Sequence, residues 1–169
     1  MNSPYMGNFE VTQEYKGDAH DGLDLAGIDS KEIHATANGE VVFAGWENPN
    51  DVTQGFGKYV VIRGAMGYYY HYGHLSQINV QCGDIVHCTD VIGIEGNTGN
   101  STGSHCHYCI RRSMQKGDHV NVCAVSGIPN KLGIYNDGYI PPAQQSTQKV
   151  INAIIEIDEH KYSGVLTEI

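Results

Sequence analysis

The sequence predicts an all-β fold, and three observations carry that prediction. Its 21 glycines punctuate short runs rich in Val, Ile, Tyr and Phe, the composition of strands joined by tight turns. Helix signals are nearly absent. Several runs also pair off as hairpins. Residues 33–37, the pair Asn38-Gly39 and residues 40–44 read as the first, because Asn-Gly readily supplies the two positive φ angles of a type I′ turn. Residues 59–63 and 67–74 read as a second hairpin around Ala65-Met66. Residues 91–94 read as a strand that leads through the glycine-rich loop 96–103 into a further strand, 104–111. That loop lacks the Lys-Ser/Thr of a P-loop, so no phosphate cradle is assigned to it.

At 169 residues the chain supports one domain with a real core and a short appendage. Residues 136–145 form a Pro- and Gln-bearing polar stretch that reads as a linker. The predicted organisation is a domain over residues 1–136, a linker over 137–146 and a C-terminal β-hairpin tail over 147–169. In that tail, residues 151–157 and 162–167 flank Asp158-Glu159-His160-Lys161 as two strands flank a loop. A lone hairpin is marginally stable in water, so the tail is expected to dock on the domain, pair with another copy as a homo-oligomer, or begin a further module.

The charge balance narrows the partners. A net charge of -9 and a pI near 5.3 leave no basic stripe, which argues against nucleic acid and against an anionic membrane surface. The first eight residues have neither a positive n-region nor an apolar h-region, and no later stretch approaches membrane-spanning length. A soluble chain without a signal peptide and without membrane association is expected. The five cysteines, Cys82, Cys88, Cys106, Cys109 and Cys123, are odd in number and not dense, so mostly free thiols are expected, with a bridge from Cys82 to Cys88 as the alternative.

The segment His105-Cys106-His107, together with His20-Asp21-Gly22-Leu23-Asp24 far upstream, supplies metal-ligand side chains at useful spacings. In an extended strand alternate residues share a face about 6 to 7 Å apart. His105 and His107 can therefore address one cavity, one as ligand and one beside a reacting water, which points to a catalytic zinc site. Cys106 and Cys109 form a C-x-x-C string, but positions three apart on a strand face opposite sides, so no redox or structural zinc site is assigned to them. His34, His71, His87, His119 and His160 are read as structural or solvated. The run Tyr68-Tyr69-Tyr70 with Tyr72 is read as strand packing, with some rings free to line a groove.

Four ordered motifs carry a resemblance. They are His20-Asp21-Gly22-Leu23-Asp24-Leu25-Ala26 followed by Gly39-Glu40-Val41-Val42-Phe43-Ala44-Gly45, then Gly55-Phe56-Gly57-Lys58-Tyr59-Val60-Val61-Ile62, then Tyr72-Gly73-His74-Leu75-Ser76, then Gly96-Asn97-Thr98-Gly99 through Gly103-Ser104-His105-Cys106-His107-Tyr108. Over residues 10–112 the chain resembles the lysostaphin/LytM family of zinc metallopeptidases. The resemblance implies an antiparallel β-sheet domain with a substrate groove, one zinc ion, and hydrolysis of peptide bonds in bacterial peptidoglycan.

Carried over motif by motif, the resemblance puts the zinc ligands on His20, Asp24 and His107, leaving the fourth position for water. It puts the two catalytic histidines on His105, as general base, and His74, as its partner. Tyr15 is the counterpart of a tyrosine that steadies the tetrahedral intermediate. The chain departs from the family at its last motif, commonly His-Leu-His-Phe-Glu, where Cys106, Tyr108 and Cys109 replace leucine, phenylalanine and glutamate. Cys109 thereby removes a polar group that could orient His107. Two rival readings are a catalytically silent wall-binding or regulatory module on the same fold, and a cysteine hydrolase using one of the five thiols. The expected place of action is the bacterial cell wall, as a phage lysin released at host lysis in preference to a secreted enzyme lacking its leader. Loops 47–55 and 114–130 are expected to set which cross-bridge is cut.

Overall fold

The computed structural model describes residues 1–64, 66–139, 151–157 and 160–166. The chain runs through β1 (Asn8–Gln13), β2 (Gly22–Gly27), β3 (Glu32–His34), β4 (Gly39–Trp46), β5 (Lys58–Gly64), β6 (Tyr69–Gly73) and β7 (Gln77–Ile78). It continues through β8 (Ile85–Val86), β9 (Val91–Ile94), β10 (Cys106–Arg111), helix α1 (Val122–Ser126), β11 (Gly133–Asn136), β12 (Ile151–Ile157) and β13 (His160–Leu166). Eight strands make one antiparallel sheet in the order β11-β1-β2-β10-β6-β5-β4-β8, and β3-β9-β7 make a second. The predicted all-β class is the class observed.

Alternation gives the large sheet two unlike faces. Leu23 and Leu25 on β2, Cys106, Tyr108 and Ile110 on β10, Tyr70 and Tyr72 on β6, and Val60 and Ile62 on β5 all enter one hydrophobic core. The intervening residues, Gly22 and Asp24, His107, Cys109 and Arg111, His71 and Gly73, belong to the other face. The second sheet closes the core with Ile33 and Ile92. Buried hydroxyls inside it are paired: the Tyr72 and Tyr108 hydroxyls both meet Thr36 Oγ1, at 2.7 and 2.9 Å. The tyrosine run thus packs as strand, with Tyr70 and Tyr72 buried.

The hairpin expected over residues 33–44 does not form. Strand β3 pairs with β9, setting Ile33 opposite Gly93, whereas β4 pairs with β5 and β8. Gly39 opens β4 opposite Gly64 and Val86 instead of turning the chain, and the Asn38 side chain accepts from Cys88 N at 2.7 Å. Burial of Ile33 and Ala35 between the sheets outweighs a two-residue turn preference. The second hairpin is present as β5 and β6, with Val60 opposite Tyr72 and Ile62 opposite Tyr70. Strands β1, β2 and β11 lie outside the hairpins expected from the sequence. Helix α1 lies inside a stretch read as loop, capped by Asn121, which accepts from Cys123 N and Ala124 N, and closed by Gly127 in the left-handed region.

By contact density the chain divides into units Met1–Tyr139 and Ile140–Ile169. In the second, β12 pairs antiparallel with β13 from Ile151 opposite Leu166 to Ile157 opposite His160, so the second strand begins at His160 and not at 162. The linker expected over 137–146 lies outside the described residues from position 140 onward. All five cysteines are free thiols, Cys82 and Cys88 included.

Candidate metal centre

Pairing of β2 with β10 sets Asp24 directly opposite His107, both on the face turned from the core. His20 joins them from the turn before β2. His107 Nδ1 lies 2.8 Å and His20 Nε2 3.1 Å from Asp24 Oδ1, and the two ring nitrogens are 3.2 Å apart. The partner of each opposite nitrogen fixes its tautomer. His20 Nδ1 sits 2.7 Å from the Glu14 carbonyl, which can only accept, so Nδ1 carries the hydrogen and Nε2 presents a lone pair. His107 Nε2 donates to Asp21 Oδ1 at 3.2 Å, leaving Nδ1 as the lone pair.

Three acceptors therefore converge with no donor between them, a cluster that calls for a positive charge. Burial pushes the Asp24 carboxyl up, but its polar contacts with the His107 and His20 rings outweigh it and hold Asp24 well below the usual carboxylate range. Burial likewise lowers His107, yet its bonds to Asp21 and Asp24 win and raise it well above an ordinary histidine. Donors around a tetrahedral zinc at about 2.0–2.2 Å stand about 3.3–3.6 Å apart. The observed 2.8–3.2 Å needs only a small spread, and two imidazoles with one carboxylate are zinc chemistry, so the residues fit the ion.

His105 and His74 stand over this cluster. His105 Nδ1 donates to the Gly103 carbonyl at 2.8 Å, and its Nε2 lies 3.5 Å from Asp24 Oδ1. His74 Nδ1 donates to the Thr98 carbonyl at 2.8 Å, and the two rings are 4.7 Å apart between centroids. The glycine-rich loop thus serves as a holder for two imidazoles, each with Nε2 left as a lone pair. His74 is one of two non-glycine residues with positive φ among the described residues, at 62°, held by its N–H to the Phe56 carbonyl at 2.7 Å. Burial pushes its pKa down to about 4, so the ring is neutral at neutral pH.

A cleft of about 230 Å³ opens beside His74 and His107, lined also by Asp21, Glu47, Phe56, Arg111 and Lys116 among others. Behind His107, Asp21 Oδ2 accepts from Arg111 Nη2 at 2.7 Å. Cys109 is fully buried on the same strand, and Cys106 is buried in the core, where burial raises its thiol well above the ordinary range. Neither suits a hydrolytic nucleophile. The structure brings His20, Asp24, His107, His74 and His105 together but engages Tyr15 elsewhere: its hydroxyl is 3.0 Å from His119 Nδ1, whose Nε2 is 3.0 Å from Asp18 Oδ1. The carboxylate takes the Nε2 hydrogen, so Tyr15 donates to His119. His119 carries no sequence signal; only the fold joins it to a residue 104 positions away. His34 is buried and bonded to the Thr89 carbonyl, His87 is exposed, and His71 is buried without a hydrogen-bond partner among the described residues.

The sequence profile described as "Peptidase family M23" matches residues 18–122. The chain is 37% identical over 103 residues to "DD-carboxypeptidase/endopeptidase Mpg" of Neisseria meningitidis serogroup B, covering 61% of this chain and 22% of that one. It is 33% identical over 114 residues to "Peptidoglycan DD-endopeptidase ShyA" of Vibrio cholerae, covering 66% of this chain and 25% of that one. It therefore spans about a quarter or less of these relatives. The catalytic domain of the antimicrobial peptidase lysostaphin from Staphylococcus simulans superposes with a TM-score of 0.59 and 26% identity, over 73% of this chain and 93% of that one.

Proposed function

This chain belongs to peptidase family M23, and from that premise we propose that it is a zinc-dependent endopeptidase hydrolysing peptide bonds in bacterial peptidoglycan. One observation carries the reading: His20 Nε2, Asp24 Oδ1 and His107 Nδ1 converge within 2.8–3.2 Å as three lone-pair donors, beneath two more imidazoles whose Nε2 atoms are free. A zinc ion held by those three residues would polarise the scissile carbonyl and bring the pKa of bound water toward about 7. His105, turned toward Asp24 by the Gly103 carbonyl, is the general base in this reading. His74 is neutral and presents a lone pair, so it too accepts a proton before it can donate one. The pair can hold the proton taken from water and return it to the leaving amine. Tyr15 reaches a developing oxyanion only by giving up its bond to His119.

Peptidoglycan is chosen as substrate because of the 33% identity to a relative named as a peptidoglycan endopeptidase and the fold shared with lysostaphin. On this reading the protein works at the bacterial wall, as a phage lysin, with the tail serving wall affinity or self-association. Digestion of purified peptidoglycan of several cross-bridge types, with the fragments sequenced, tests it. New amino termini should appear, vanish with a chelator and return with zinc. Failure to release amino termini from any wall would favour the silent wall-binding module instead.

A further inference from the structure

Asp21 is not among the ligands, yet it holds the only side of His107 that the ligand set leaves open. His107 Nδ1 faces Asp24 Oδ1 at 2.8 Å, and Nε2 faces Asp21 Oδ1 at 3.2 Å, so the ring is clamped between two carboxylates. The other Asp21 oxygen accepts from Arg111 Nη2 at 2.7 Å, and the Arg111 guanidinium rests on the Phe56 ring, 5.2 Å from its centroid. The backbone is shaped for the contact with His107. A Cβ on Gly22 would lie 2.6 Å from the Tyr108 carbonyl oxygen, 2.7 Å from His107 Nε2 and 2.9 Å from Cys109 Cβ, so only glycine lets β2 approach β10 here.

Resting on the zinc reading above, we propose that Asp21 is the positioning residue that fixes the tautomer and orientation of His107. It does so from β2, in place of a polar group on β10 where this chain has Cys109. Two competitors can be weighed. The Cys109 thiol also borders His107, but a thiol is a weak acceptor beside a carboxylate already bonded on both oxygens. Asp21, His107 and Cys109 also offer atoms within 4.8 Å of one another, as a second metal site would. Arg111 argues against that: its guanidinium already neutralises Asp21, and a second cation would face it directly. The Arg111-Asp21-His107 series therefore serves the first site.

The test measures zinc affinity of the full chain by chelator competition. Asp21→Asn, of nearly equal shape, should bind zinc about 10- to 100-fold more weakly, the usual effect of losing the partner behind a ligating histidine. Asp21→Glu should recover part of the loss, and Cys109→Ser should stay within about threefold of the parent. In the cobalt-loaded parent, absence of a thiolate charge-transfer band is expected. Asp21→Asn binding like the parent, Cys109→Ser falling as far as Asp21→Asn, or a thiolate band would each overturn the proposal. Should Asp21→Asn fail to fold, the nitrogen-15 spectrum of the zinc-loaded parent decides: a slowly exchanging Nε2 proton on His107 supports the clamp, and a rapidly exchanging one overturns it. Failure of the parent itself to bind zinc would remove the zinc reading first.

Discussion

Which nitrogen of each imidazole carries the hydrogen decides what this site can do. His20 and His74 are set by the carbonyls of Glu14 and Thr98, His105 by that of Gly103, and His107 by Asp21. Ligands and bases differ only in where the remaining lone pair points. His74→Ala and His105→Ala should therefore keep one zinc per chain while hydrolysis falls by about 100- to 10,000-fold, since general acid-base groups contribute that much. Elemental analysis beside a wall-peptide assay checks it; near-parental turnover in both variants would remove the assigned roles. His71 supports a different prediction. Among the described residues it is buried without a hydrogen-bond partner, and burial pushes its pKa down to about 3 from 6.5. Between those values the unfolded chain binds a proton that the folded one refuses, so stability falls as pH falls, by about 1.4 kcal/mol per unit. Urea midpoints near pH 7 and near pH 5 should diverge less in His71→Phe than in the parent. The four histidines and one aspartate of the site were legible because ordered motifs single them out from the rest. The neighbours Asp21, Arg111 and His119 were not, because hydrogen bonds across strands leave no local pattern.

At the scale of elements, the glycine-rich loop 96–103 is the least obvious part of the machinery. Its Thr98 and Gly103 carbonyls hold the two upper imidazoles, and its position depends on Gly57 and Gly99, both with positive φ, at 63° and 74°, and stacked so closely that a Cβ on either would overlap the other's backbone. Gly99→Ala should cost about 1–3 kcal/mol through strain at a left-handed position and also lower turnover by displacing Thr98 and His74. Denaturant unfolding and peptide cleavage measure the two effects; a variant as stable and as active as the parent would mean that the loop does not position the histidines. The sequence made the strands at 59–63, 67–74 and 91–94 readable through apolar runs between turn residues, the second of them trimmed to Tyr69–Gly73 in the structure. It misled at Asn38-Gly39, where a turn dipeptide instead opens an extended strand, because the residues before it are claimed by the second sheet. Short elements such as β7, β8 and α1 carry too few residues for any period to register.

For the molecule as a whole, the sheet separates a core face from a working face, and every proposed site residue lies within Met1–Tyr139. Strand β11 still belongs to that unit, since it pairs with β1 and Asp137 accepts from Gly7 N at 2.9 Å. A chain ending at Tyr139 should keep its zinc and cleave a soluble wall peptide while losing self-association or affinity for intact walls. Loss of cleavage in that shortened chain would put the hairpin inside the catalytic domain. The overall architecture was readable from composition and motif order, whereas the pairing of β2 beside β10, which makes the site, joins segments about 80 residues apart that no local signal connects. The claim on which all of this depends is that His20, Asp24 and His107 hold one zinc ion. Elemental analysis of the purified chain should find one zinc in the parent and none in His107→Ala, at unchanged fold. A His107→Ala protein with the parent's zinc content would contradict the assignment.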